Sequence, residues 1–147
     1  MATDRYLVCP KCNEKKWVFS LFDALLNLSK NEPSRCEKCK ETSDLLLTFH
    51  FGVGAGDQKC QVLDCFLPDK RSFWKENEST VEFYPFMVIL QLIEPKEKEI
   101  SIWLPYWHMV TNKAKKVEKK YGQWAPFIDV NSFRTMLKKA RKNGYEV

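Results

Sequence analysis

Cys9-Pro10-Lys11-Cys12 and Cys36-Glu37-Lys38-Cys39 are the stretches that decide how this chain of 147 residues is organised. Two residues between cysteines let a tight turn aim both thiolates at one ion, and two such turns supply four sulfur ligands. Pro10 fixes its own φ inside the first turn, and Asn13 just after it tolerates the left-handed backbone that such turns use. Lys40, at the matching place after the second pair, suits that role less well. The spacing predicts one structural site with Cys9, Cys12, Cys36 and Cys39 as ligands and Zn2+ as the ion. Iron is the competing metal, since four thiolates hold it equally well.

The same cysteines would suit two disulfides in a small secreted domain. Met1 to Val8, however, contain Asp4 and Arg5 and no apolar run of a secretory signal, so a reducing compartment is expected: the cytoplasm, or the nucleus in a eukaryote. The greasiest stretch, Tyr84 to Ile93, is interrupted by Gln91 and is too short to cross a bilayer, so no membrane partner is expected. With 44% hydrophobic and 14% aromatic residues, the chain can build a core.

In ligand spacing, residues 1–42 resemble the zinc-ribbon class of four-cysteine modules, a resemblance that implies structural zinc and strands between the cysteine pairs. The intervening sequence departs from that pattern. Lys16 to Phe19 reads as a short strand, and Ser20-Leu21-Phe22-Asp23 as a capping box that opens a helix with Leu21, Phe22, Leu25, Leu26 and Leu28 on one side. Asn31-Glu32-Pro33 ends that helix.

The domain organisation read from the sequence is a metal module over residues 1–43 and an α+β domain over residues 44–147, packed as one unit. Asp44 to Gly52 and Lys59 to Leu67 read as hairpin strands around a glycine-rich loop that lacks the Gly-Lys-Ser/Thr ending of a phosphate loop. Val81 to Ile93 and Glu99 to Leu104 read as two more strands, completing a central antiparallel sheet. Two C-terminal amphipathic helices are predicted. The first follows Pro105, with Tyr106, Val110, Ala114, Val117 and Tyr121 inward; the second runs from about Ser132 to Lys142, capped by Asn131 or Asp129 and closed by Gly144, with Phe133, Met136, Leu137 and Ala140 inward.

The charge is divided along the chain. Residues 105–147 hold ten Lys or Arg against Glu118, Asp129 and Glu146, a balance of +7 within a total of +5. Lys113, Lys115, Lys116, Lys119 and Lys120 on the first helix, and Arg134, Lys138, Lys139, Arg141 and Lys142 on the second, are expected to form a cationic surface for phosphate backbones. The competing reading is a solvated helix face. Of the interleaved aromatics Trp107, Tyr121, Trp124 and Phe127, only Trp124 reads as an exposed stacking residue.

The sequence thus points first to a zinc-stabilised, non-enzymatic protein that binds DNA or RNA through this surface. The alternative is an adaptor whose metal module displays Trp17 and Phe22 to a protein partner. Pro68-Asp69 followed by Glu94-Pro95-Lys96 resembles the PD-(D/E)xK nucleases, which implies Mg2+ held by Asp69 and Glu94 with Lys96 beside the attacked phosphate. A second metal site from Cys60, Cys65, His50 and His108 is disfavoured, because an odd offset along a strand sends Cys60 and Cys65 to opposite faces.

Overall fold

A computed structural model describes residues 2–51, 56–94, 98–122 and 127–144. The elements in chain order are β1 (Ala2–Val8), β2 (Lys15–Trp17), α1 (Leu21–Ser29), β3 (Asp44–His50), β4 (Asp57–Phe66), β5 (Phe73–Glu76), β6 (Ser79–Pro85), β7 (Met87–Glu94), β8 (Ile100–Trp103), β9 (Tyr106–Thr111), β10 (Val117–Tyr121), β11 (Phe127–Asp129) and α2 (Val130–Lys142). A seven-stranded sheet runs β11-β8-β7-β4-β3-β1-β2, a four-stranded sheet runs β10-β9-β6-β5, and their pairings are antiparallel. The fold is α+β and rich in sheet, with two short helices among the described residues.

Proline punctuates the exchange between the sheets. Val81 to Ile93 is not one strand: β6 ends at Pro85, Phe86 belongs to neither sheet ladder, and β7 begins in the large sheet. The chain returns at Leu104-Pro105, and the Phe86 N–H donates to the Pro105 carbonyl at 2.8 Å, tying the two crossings together. Proline cannot donate to a ladder, so strands end there.

The expected helix after Pro105 is a hairpin instead. β9 pairs with β10 from Trp107↔Tyr121 to Thr111↔Val117. The tip is closed by Asn112, whose side-chain Oδ1 accepts from the Lys116 N–H at 2.9 Å, while Lys115 takes a positive φ of 58°. The alternation Trp107, Met109, Thr111 outweighs the helical period because Trp107 packs edge-on against Phe22 and Phe86 from other elements. Lys113, Lys115 and Lys116 consequently lie on the tip and Lys119 and Lys120 on a strand.

α1 follows its sequence reading. The Ser20 side chain accepts from the Asp23 N–H, and Leu21, Phe22 and Leu25 are buried. Phe22 fills the space between the sheets, 5.1 Å from Tyr84 and 5.7 Å from Trp107 between ring centroids. At 4% exposure it is core, contrary to its expected display to a partner; Trp17, 37% exposed, and Phe19, 87% exposed, are aromatics that do reach the surface there. α2 contacts β8 and β11 and begins two residues earlier than predicted, so Asn131 lies within it rather than capping it. Its Phe133 and Leu137 are half-buried and Gly144 closes it at φ 88°. The side chains of Met136 and Ala140, and all of Trp124, lie outside what is described.

Candidate metal centre

The two cysteine loops carry the same pattern, Cys-x-Lys-Cys-x-Glu, at Cys9 to Glu14 and at Cys36 to Glu41. They fold alike. The Cys9 N–H donates to the Glu14 carbonyl at 2.9 Å, and the Asn13 N–H to the Cys9 carbonyl at 2.9 Å; Cys36 and Lys40 repeat these bonds at 2.8 and 3.0 Å, the former to Glu41. Asn13 and Lys40 take matching φ values of 59° and 64°, the left-handed turn that each loop requires.

Facing each other, the loops exchange charges. Lys11 of the first reaches Glu41 of the second at 3.7 Å, and Lys38 of the second reaches Glu14 of the first at 2.6 Å. Lys16 pairs with Glu37 as well. These reciprocal pairs were legible in the repeated Lys and Glu, a signal that ligand spacing alone overlooks. Being exposed, these pairs add little to stability, and their main effect is orientation.

The four Sγ atoms converge within 4.8 Å of one another. Cys9 to Cys39 is 3.3 Å, Cys12 to Cys36 is 3.6 Å and Cys12 to Cys39 is 3.8 Å, with all the cysteines free. Tetrahedral ligands at a metal–sulfur distance of about 2.3 Å stand about 3.8 Å apart, so the cluster has the size of a metal cage. The Cys12 backbone N–H, working against burial, holds the Cys9 thiol down to about 7, and the Cys39 N–H lowers Cys36 in the same way; at Cys12 and Cys39 the Glu14 and Glu41 N–H groups are outweighed by burial and the neighbouring sulfurs, which push Cys12 up to about 12 and raise Cys39. In each loop the first cysteine is thus the one favoured as a thiolate, and a bound metal would have to displace the proton of the second. Sulfur fills every position, which leaves none open for water or substrate.

Arg5 on β1 anchors the link from this centre to α1, its guanidinium donating to the Val18 and Phe19 carbonyls at 2.7 and 3.1 Å. β1, leading directly into Cys9, pairs with β3 along its full length. The metal centre is thus continuous with the large sheet.

The other candidate residues scatter. Cys60 and Cys65 share the core face, because a register shift between Val62 and Asp64 inserts one residue and reverses the parity expected of an odd offset. Burial pushes both thiols up to about 12. His50 instead joins Asp57 at 2.8 Å and Asp4 at 3.1 Å, and His108 lies in the other sheet against Trp74 and Phe83. The structure does not bring these four together. Asp69 follows the end of β4 where Phe66 pairs with Met87, whereas Glu94 pairs with Lys59 at the far end of the same ladder. Seven residues of strand separate those ends by about 23 Å, so the two carboxylates do not share an ion. Lys96 lies outside the described residues.

The cations divide into two groups. Lys119 bonds both carboxylate oxygens of Asp23 at 2.9 and 3.1 Å, Lys113 pairs with Glu78 at 2.6 Å, and Lys120 with Glu118 at 3.8 Å. Burial opposes ionisation of Asp23, yet the Ser20 hydroxyl and Lys119 hold its carboxyl below the ordinary range. Among the described residues, Lys115, Lys116, Arg134, Lys138, Lys139 and Lys142 have no ion-pair partner. The last four, together with Arg141, are exposed on α2, whose thirteen residues include no acid.

The class that fold and site define is a two-sheet α+β protein with a four-cysteine metal centre built into one edge of the larger sheet. No protein-family model, curated protein or solved structure matches the chain. No described helix is long and apolar enough to cross a membrane.

Proposed function

We propose that this is a zinc-stabilised, non-enzymatic nucleic-acid-binding protein. The observation that carries the reading is the helix α2, which presents Arg134, Lys138, Lys139, Arg141 and Lys142 to solvent with no acidic residue among them. By contrast Lys11, Lys16, Lys38, Lys113 and Lys119 each meet a carboxylate. A surface whose charges are spent internally has little to offer a polyanion, whereas Arg134, Lys138, Lys139 and Lys142, without ion-pair partners among the described residues, gain from releasing the counterions of phosphate. Lys115 and Lys116 on the β9–β10 tip are part of the proposed surface; Lys113, Lys119 and Lys120 serve local ion pairs in this reading. Zinc is the ion proposed for the cysteine cage, in a structural role, and the protein works in a reducing compartment of the cell.

Replacing Lys138 and Lys139 by Glu should weaken binding of a labelled oligonucleotide at least tenfold without changing metal content or melting temperature. Unchanged affinity would refute the assignment to α2. A second reading, docking of a protein partner, is favoured by Phe19, 87% exposed beside the metal module. It predicts a partner whose capture is lost on Phe19→Ser and is indifferent to the α2 reversal.

A further inference from the structure

The small sheet has two aromatic faces, and one of them has no packing role in the core. Tyr84, Trp107 and Tyr121, paired across β6, β9 and β10, face α1; Trp107 and Tyr84 meet Phe22 there. On the opposite face, Phe83 stands directly across from His108, which in turn stands across from Lys120. Trp74 on the edge strand β5 completes the group. Ring centroids lie 5.5 Å apart for Trp74 and His108, 5.5 Å for Phe83 and His108, 5.4 Å for Phe83 and Tyr106, and 5.6 Å for Tyr106 and His108. Trp74 is 39% exposed and the other three are half-buried, so the edges and faces of the rings reach solvent across three strands.

A glycine makes room for this arrangement. A Cβ added at Gly122 would stand 2.1 Å from the Tyr106 ring, so the ring occupies the space where any other residue would carry its side chain. The Gly122 N–H donates to the Tyr106 carbonyl at 2.9 Å, which fixes the backbone beneath the ring. The aromatic surface is therefore shaped and held, rather than a set of independent side chains.

We propose that this face is a stacking platform for the unpaired bases of single-stranded nucleic acid. The inference rests on the nucleic-acid reading above and sharpens it from nucleic acid in general to strands whose bases are free. Every base offers a π-face, which aromatic side chains take up without sequence preference. A duplex keeps those faces stacked inside the helix and gains nothing from the platform. Phosphate complementarity comes from the border: Lys115 and Lys116, without ion-pair partners among the described residues, stand at the tip of the β9–β10 hairpin that carries His108. Of the nearby acids, Glu118 and Glu78 are matched by Lys120 and Lys113, which leaves Glu76 as the unmatched carboxylate on this face. Glu76 follows Trp74 by two residues at the edge of the sheet, so it borders the platform rather than interrupting it.

The test compares wild type and Trp74→Ala on a labelled single-stranded oligothymidylate and on a duplex of equal length. Wild type should prefer the single strand. The substitution should weaken single-strand binding by about 5- to 150-fold, the loss expected for one stacked base, with duplex affinity and the salt dependence unchanged. Trp74→Phe should restore most of the loss. Photo-crosslinking of a 4-thiothymidine strand to the unaltered protein gives a readout that needs no variant, and should map to β5, β6 or β9. Equal single-strand affinity for Trp74→Ala and wild type, or crosslinks confined to α2 and the hairpin tip, overturns the platform while leaving the cationic reading in place. No binding of either nucleic acid by wild type at low salt overturns both.

Discussion

Replacing Cys36 by Ser should remove the metal and, with it, more than the metal module. The loops Cys9 to Glu14 and Cys36 to Glu41 comprise twelve residues in fixed turns, and the metal offsets the backbone entropy lost in ordering them. A structural zinc site contributes roughly 10–16 kcal/mol to folding. Because β1 leads into Cys9 while paired with β3 over seven residues, the loss propagates into the large sheet. A loss of about 10 kcal/mol is of the order of a domain's whole stability. At roughly 2–4 °C per kcal/mol it lowers the melting temperature by at least about 20 °C or abolishes the transition. Circular-dichroism melts paired with metal analysis by mass spectrometry measure both quantities on one sample. Cys60→Ala, which empties a core position outside the cage, should leave metal content unchanged. A Cys36→Ser protein that retained one metal per chain and melted within a few degrees of wild type would refute the reasoning.

Three further outcomes follow from the packing and charge. Phe22→Ala should destabilise the protein by about 3–5 kcal/mol, as expected for a buried phenylalanine, since its ring bridges α1 to Tyr84, Phe86 and Trp107; chemical denaturation that moved by less than about 1 kcal/mol would mean the sheets do not close over it. Gly122→Ala should cost about 1–3 kcal/mol by driving the Tyr106 ring from its place, seen as a lower denaturation midpoint and shifted ring resonances. Asp57 first, and then Asp4, raise the pKa of His50 above its ordinary value of 6.5. The folded form therefore binds the proton more tightly than the unfolded chain, so this contribution is full below about pH 6.5 and fades as pH rises through the elevated value. An NMR titration placing His50 at or below 6.5, or a His50→Gln variant with the same pH dependence of stability as wild type, would contradict it.

The parts of this fold that were legible are those decided within a few residues. The capping box at Ser20 closes on Asp23, three residues away, and the cysteine loops close on Glu14 and Glu41, five residues beyond Cys9 and Cys36. β3 and β4 flank a glycine-rich loop that marks them as a hairpin, and they pair as one. What the sequence hid is settled by distant partners. Tyr106, Val110, Ala114, Val117 and Tyr121 fit a helix by spacing alone, but Trp107 and Tyr121 are held opposite each other on neighbouring strands, with ring centroids 5.0 Å apart. β1 carries Asp4 and Arg5 in its middle and lacks an apolar pattern; its place in the sheet comes from β3 and from the carbonyls of Val18 and Phe19 that receive Arg5. The single inserted residue that turns Cys60 and Cys65 to one face leaves no mark in composition or period.

The same division runs through the candidate sites. Four cysteines at a fixed spacing announce their cluster, since each pair is local and only one long-range event is needed to join them. The cations announce their number and not their employment: Lys119 looks like a surface charge until Asp23, 96 residues away in sequence, is found against it. α2 kept its predicted character because amphipathicity is a property of the helix itself, with Phe133 and Leu137 half-buried and its Lys and Arg side chains outside.

The most direct test of the account is the slope of log affinity against log salt concentration for wild-type protein and a labelled oligonucleotide, measured by fluorescence anisotropy. If Lys115, Lys116, Arg134, Lys138, Lys139 and Lys142, the six cations beyond residue 104 without ion-pair partners among the described residues, all contact phosphate, the slope approaches about −4 for a single strand and −5 for a duplex, at roughly −0.7 and −0.9 per contact. The account predicts a slope between about −2 and those limits, and a shallower one when Lys138 and Lys139 are replaced by Ala. A slope near zero, or no binding even at low salt, would contradict it.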